Sequence, residues 1–161
     1  MRVGIGHDTH RLVEGRPLIL GGVRVEHPLG LLGHSDADVV MHAVADALLG
    51  AAGLGDIGEH YPDTDPQWRG LDGSRLLGEV VAQVARAGWV AGNCDVVVHA
   101  QAPKLTPHKA AIRANLAALL GLDLSAVNVK AKTGEHVGPI GRAEALSCEA
   151  AVLLAPAAGP G

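Results

Sequence analysis

Along this chain the spacing of apolar residues switches between a strand period and a helix period, in an order that admits few folds. Val3 and Ile5 alternating against Gly4 and Gly6 predict a strand over 2–13, and PLILGGVRV, 17–25, predicts a short hairpin turning on Gly21-Gly22. Helical spacing predicts helices over about 36–52 and 73–88, the second burying Leu76, Leu77, Val80, Val81 and Val84. A strand at 93–101, a helix at 107–120 and strands at 127–133 and 144–154 complete the series. This order implies an α+β fold, a two-layer sandwich of a mixed four-stranded sheet with helices on one face. The other face then needs cover, and a homo-oligomer is its simplest source. No internal repeat is present.

With no Phe, and only Tyr61, Trp68 and Trp89 aromatic, aliphatic side chains must build the core. The 161 residues suit one domain, 1–161, with 155–161 as a frayed tail. Ser35 and Asp38 read as a capping pair for the first long helix and Gly53 as its stop. Thr106 and Pro107 read as the N-cap and first position of the helix at 107. Residues 53–72 have no apolar period and read as a long functional loop.

Thirteen basic and seventeen acidic residues give a net charge of −4 without a basic run, which argues against a nucleic-acid partner. An anionic ligand would need its cations from bound metal or from a few placed side chains. Cys94 and Cys148, both in apolar stretches, read as reduced core thiols. No apolar run approaches the ~20 residues of a membrane span and the first residues do not read as a charged-then-apolar leader, so the expectation is a soluble cytoplasmic protein without a membrane partner.

HDTH, at 7–10, places three candidate metal ligands in four residues. Alternation puts Asp8 and His10 on one face of the strand and His7 and Thr9 on the other, packed face with Val3 and Ile5. Gly4 and Gly6 leave the Asp8/His10 face uncrowded. His42, mid-helix, offers a third ligand and leaves a coordination position open, the pattern of catalytic zinc. Asp46, one turn on, would orient the His42 ring or tune the site from behind the ligands. Spacing alone leaves a second reading open, a surface strand end and a packed histidine. Ser35 is either a cap or, with His34, part of an anion site. Lys132 and Thr133 suit phosphate and Glu135 a hard cation, or the trio is a solvated strand end. Aspartates 56–65 also suit ordinary turns.

Taken together, HSDADVVMHAVADALLGAAGLGDIG, YPDTDP, AQAPKL and VNVKAKTGE with GR following resemble the 2-C-methyl-D-erythritol 2,4-cyclodiphosphate synthase family over nearly the whole chain. The resemblance implies a phosphorus–oxygen lyase of the non-mevalonate isoprenoid pathway. Its substrate is a cytidine diphosphate ester of methylerythritol carrying a 2-phosphate, which attacks the β-phosphorus and expels CMP. It implies Zn²⁺ on Asp8, His10 and His42, and a second divalent ion, Mg²⁺ or Mn²⁺, on Glu135 at the diphosphate. His34 and Thr133 would stabilise the transition state. Substrate would also meet Thr9, Ser35, Lys132 and Gly134. Asp56, Ile57 and Gly58 would meet sugar hydroxyls, and Tyr61, Pro62, Asp63, Thr64 and Asp65 would form a flexible substrate loop. Ala100, Gln101, Ala102, Pro103, Lys104, Leu105 and Thr106 would surround the cytidine with Lys132.

The family is a homotrimer with active sites between subunits, and Arg142 near its threefold axis is associated with an isoprenoid diphosphate. Pro139 stands where the family usually has an aromatic residue, so the lining of that axis departs from the pattern. Tyr61 replaces a frequent Phe, and Ala37 replaces a common Gly, a change expected to strengthen the helix start. Two alternatives stand beside this reading: a metal-dependent nucleotide-diphosphate hydrolase, and a non-catalytic nucleotide- or isoprenoid-binding trimer.

Overall fold

The first strand, β1, Arg2–Glu14, is the longest, and a computed structural model describing residues 1–157 shows what stands on each side of it. The hairpin follows as β2, Leu18–Leu20, and β3, Val23–Val25, joined by Gly21 and Gly22 at φ +58° and +73°, the geometry of a two-residue turn. Next come β4, Leu29–Leu31; α1, Val39–Ala52; α2, Ile57–His60; and α3, Gly73–Arg86. The second half holds β5, Trp89–His99; α4, Lys109–Leu120; β6, Val127–Lys132; α5, Gly138–Gly141; and β7, Ala145–Pro156.

The main sheet has five strands rather than four, in the order β4-β1-β7-β5-β6, with only β5 and β6 parallel. β4 escapes the sequence reading because three residues carry no measurable alternation. The parallel pair is joined through α4, as a parallel pair needs a crossover. β7 runs to Pro156 and Ala157 N–H donates to the Gly88 carbonyl, so 155–157 are paired rather than frayed. Residues 158–161 of the expected tail lie outside the described residues.

Helices α1, α3 and α4 cover one face. Cys94, Val96 and Val98 of β5, Val127 and Val129 of β6, and Cys148, Ala150, Val152 and Leu154 of β7 are buried beneath them. Burial pushes the Cys94 thiol up to about 12, as suits an inert core residue. α1 is buried on nearly every side, between the sheet and α3. α3 is amphipathic, burying Leu76, Leu77, Val80 and Val84, with Val81 only partly covered.

The expectation for the two faces of β1 is reversed. A Cβ on Gly4 would lie 2.0 Å from the Ala47 carbonyl oxygen, and one on Gly6 2.0 Å from that of Ala43. The glycines therefore let α1 lie directly against the strand backbone, with Ala43, Ala47 and Ala51 as the matching ridge. Val3 and Ile5 are 71% and 82% exposed on the opposite face of this single chain.

The start of α1 also differs. Its N-cap is Asp38, not Ser35, and the helix begins at Val39. The fully buried Asp38 carboxylate accepts from Val40 and Met41 N–H and from both hairpin glycines, clipping the β2–β3 turn to the helix. Ala37 sits at φ +58°, where glycine is at ease and alanine strained, so the Gly-to-Ala change does not help the helix start. Gly53 closes α1 as expected, at φ +74°. α4 begins at Lys109 without a side-chain cap, so Thr106 and Pro107 lie in the turn before it. The stretch 53–72 is not featureless: α2 and a 3-10 turn, Pro66–Trp68, fold within it.

Candidate active site

β1 and α1 bring Asp8, His10 and His42 together. Asp8 Oδ2 lies 2.9 Å from His42 Nδ1 and 3.1 Å from His10 Nε2, and the three ligand atoms all lie within 4.8 Å of one another. Zinc bonds of about 2.1 Å in tetrahedral geometry separate ligand atoms by about 3.4 Å, so a slight opening of this triad accommodates the ion. The remaining ring nitrogens are already engaged. His10 Nδ1–H donates to the Leu32 carbonyl at 2.7 Å, and His42 Nε2 and Ser35 Oγ share a hydrogen bond of 3.3 Å. The Leu32 carbonyl, which can only accept, keeps a proton on His10 Nδ1 and leaves Nε2 as the nitrogen directed at Asp8, the orientation a metal-binding imidazole requires.

Burial opposes the charge on Asp8, yet hydrogen bonds and Coulombic attraction from His10 and His42 prevail and hold its carboxyl well below the usual range. Burial likewise works against charging His10, and Asp8 overcomes it, leaving that imidazole raised. The donor set fits a divalent cation, with protons and metal competing for the same lone pairs.

A cleft of about 630 Å³ opens over the triad. Gly33, His34 and Ser35 form one wall; Ile57, Gly58 and the Tyr61–Asp65 segment form another; Trp68, Arg69, Leu71 and Leu76 complete it. Asp46 makes no hydrogen bond to the His42 ring. Its Oδ1 accepts the Ile57 N–H at 2.8 Å, so it anchors the loop that walls the cleft. Asp56 caps α2, accepting from Glu59 N–H, and lies beside the cleft rather than in it. The Tyr61 hydroxyl reaches Glu79 and Gln83 on α3, and its ring meets Trp68 edge-on at 5.0 Å.

The other predicted residues form a separate cluster. Ala100 N–H donates to the Lys132 carbonyl, His136 N–H to the Gln101 side chain, and the Thr133 hydroxyl to Glu135 at 2.7 Å. This joins the start of the segment Ala100, Gln101, Ala102, Pro103, Lys104, Leu105 and Thr106 to the segment Thr133, Gly134 and Glu135 after β6. Pro139 opens α5, and Arg142 pairs with Glu144 through two hydrogen bonds. Thr9, Ser147, His99 and Lys132 are successive partners in one row across the sheet, so Thr9 and Lys132 stand three strand spacings, about 14 Å, apart. One chain thus holds the two groups of predicted residues apart.

Sequence reasoning missed Arg16, whose Nη2 donates to the Ser35 carbonyl at 2.7 Å, and Asp36, which accepts the Gly73 N–H at 2.8 Å. It also missed Trp68 and Arg69 in the cleft wall. Only the position of Asp38, just before the helical period, offered a usable signal for a cap.

Comparison with known proteins gives one family. The YgbB family model matches residues 1–155. A Bordetella pertussis protein named 2-C-methyl-D-erythritol 2,4-cyclodiphosphate synthase is 60% identical over 154 residues, covering 96% of this chain and 95% of that one. A solved CDP-bound form of a synthase of the same name superposes with a TM-score of 0.88 at 42% identity, covering 96% of this chain and all of that one. The CDP complex of IspF from Plasmodium falciparum gives 0.84 at 34% identity, covering 98% of this chain and 97% of that one. Among the described residues no helix is long and apolar enough to cross a membrane.

Proposed function

The chain belongs to the YgbB family, and on that premise we propose that the Asp8–His10–His42 triad holds the metal of its cyclisation reaction. The chain is a cyclodiphosphate synthase of the non-mevalonate (MEP) isoprenoid pathway. It converts 4-diphosphocytidyl-2-C-methyl-D-erythritol 2-phosphate to 2-C-methyl-D-erythritol 2,4-cyclodiphosphate and CMP. An oxygen of the 2-phosphate forms a bond to the β-phosphorus, the bridge to the α-phosphate breaks, and its electron pair leaves with CMP. This is phosphorus–oxygen lyase chemistry.

The nucleophile is already anionic, so the protein's task is in-line placement and neutralisation of phosphoryl charge. Two imidazoles and one carboxylate suit Zn²⁺, which supplies Lewis-acid stabilisation of phosphoryl oxygens when bound. His34 stands in the cleft wall, where its imidazole would face the phosphates. Asp56, Ile57 and Gly58 would hold the sugar hydroxyls, and the Tyr61–Asp65 segment would close over them.

The cytidine end belongs to the second half-site: the Ala100–Thr106 turn with Lys132 for the base, Thr133 for the transition state, and Glu135 for a second divalent ion, Mg²⁺ or Mn²⁺. Because Lys132 stands about 14 Å across the sheet from Thr9, the residue between Asp8 and His10, a neighbouring copy would complete each cleft, as in a homotrimer. Isoprenoid diphosphate binding beside Arg142 and Pro139 would belong to the axis of that trimer. A cytoplasmic setting suits the reduced, buried thiols.

The triad's geometry carries this reading, supported by the likeness to two CDP-bound relatives. His42→Ala should lose bound zinc and CMP release while keeping its far-ultraviolet circular dichroism. Full turnover in that variant refutes the metal assignment. Phosphorus NMR of the wild-type product should show a cyclic diphosphate, whereas a linear monophosphate would mark hydrolysis.

A further inference from the structure

Beside the metal cleft lies a second cavity of about 750 Å³. The two share Gly33, His34 and Arg69, so they form one continuous depression, and the second extends it to Arg16. The guanidinium of Arg16 is fixed at this wall by its bond to the Ser35 carbonyl. Arg69 reaches the same cavity from the far side of the loop, just past the 3-10 turn. Among the described residues neither arginine has a carboxylate within 4.0 Å. Asp63 and Asp65 line the same cavity, but the Asp65 carboxylate is occupied by Gln67. With two arginines and two aspartates the formal charges of this lining balance, so what the hollow offers an anion is directed N–H donors: Arg16 Nε is buried there without a hydrogen-bond partner, and the Arg69 guanidinium makes no hydrogen bond among the described residues.

We propose that Arg16 and Arg69 are the anion subsite that holds the phosphate monoester of the substrate while it attacks. This rests on the reaction assigned above and says where its nucleophile is held. Metal ions serve the diphosphate, but the monoester also carries close to two negative charges at neutral pH. A guanidinium fork grips phosphate oxygens in fixed directions, so two forks from opposite walls can hold two oxygens and leave the third aimed at the β-phosphorus. Arg16 is tied through Ser35 to the segment bearing His34, so the nucleophile and the groups around the metal are set by one stretch of chain.

The test compares wild type, Arg16→Gln and Arg69→Gln, each loaded with zinc. Two quantities are read: kcat/KM for the phosphorylated cytidine diphosphate ester, and inhibition constants for CDP and for the ester lacking the monoester phosphate. Each variant should lose about tenfold or more in kcat/KM, the scale of a charge-assisted hydrogen bond. Both inhibition constants should stay within about twofold, and lysine at either position should recover part of the loss. Unchanged kcat/KM in both variants, or an equal loss of affinity for the unphosphorylated ester, overturns the subsite alone. Wild-type protein that releases no CMP overturns the reaction, and the subsite with it. Arg69 is exposed and makes no side-chain hydrogen bond among the described residues, so its variant keeps the test readable should Arg16→Gln fold poorly.

Discussion

The two faces of β1 alternate residue by residue yet meet entirely different surroundings. On one, Gly4 and Gly6 admit α1 to backbone contact, and Asp8 and His10 continue the same face into the metal triad. On the other, Val3, Ile5 and His7 stand open, and Ile5 and His7 border a hollow of about 570 Å³ with Asp95, Val97, Lys130 and Glu149. Carboxylates feel the difference. Burial under the helices pushes Asp38 up to about 6 despite its amide partners, whereas on the open face Lys130 and Asn128 overcome the burial of Asp95 and draw it down. The glycines are therefore not empty space around a ligand. They set the distance from strand to helix at which His42 meets Asp8.

The largest effect should come from closing that gap. Gly6→Ala drives a methyl group into the Ala43 carbonyl and should cost roughly 3 kcal/mol in urea unfolding, with loss of zinc. A wild-type midpoint would break the account of close docking. Ile5→Asp, one residue earlier on the open face, should leave the chain folded by circular dichroism. It should nevertheless reduce the mass measured by light scattering from the proposed trimer to one chain, because a buried unpaired charge is costly at an interface.

A smaller effect follows from Asp38. Its folded pKa lies above the ordinary carboxylate value, so the stability it lends is present at low pH and lost as pH rises from about 4 through about 6. The difference in unfolding free energy between wild type and Asp38→Asn should therefore shrink over that window, and a flat difference would remove burial as the cause. Smallest is Ala37→Gly. Relief of a left-handed alanine opposes the loss of a buried methyl group, leaving a change within about 1 kcal/mol of zero.

Element order was legible because apolar period is local, and so was the pairing of Asp8 with His10, because alternation is strict. Which face α1 would cover was not legible. Small residues at 4 and 6 suit either open space or a close neighbour, and only the helix decides. Asp38 reads as the partner of a Ser35 cap rather than as the cap itself, and its hold on the hairpin turn joins groups sixteen and seventeen residues apart, which no window reveals. Asp46 shares a face with His42 by spacing, yet its carboxylate finds the Ile57 amide instead. Arg16 and Arg69 belong to no pattern at all. They become neighbours only when the loop folds back over the strand end.

The separation of the two proposed half-sites along a row of the sheet has a genetic consequence. A chain disabled at His42 and a chain disabled at Glu135 are each defective in every cleft of their own assembly. Mixed in one proposed trimer, a sound triad can face a sound Glu135 loop, so co-expression should restore part of the activity by complementation between defective copies.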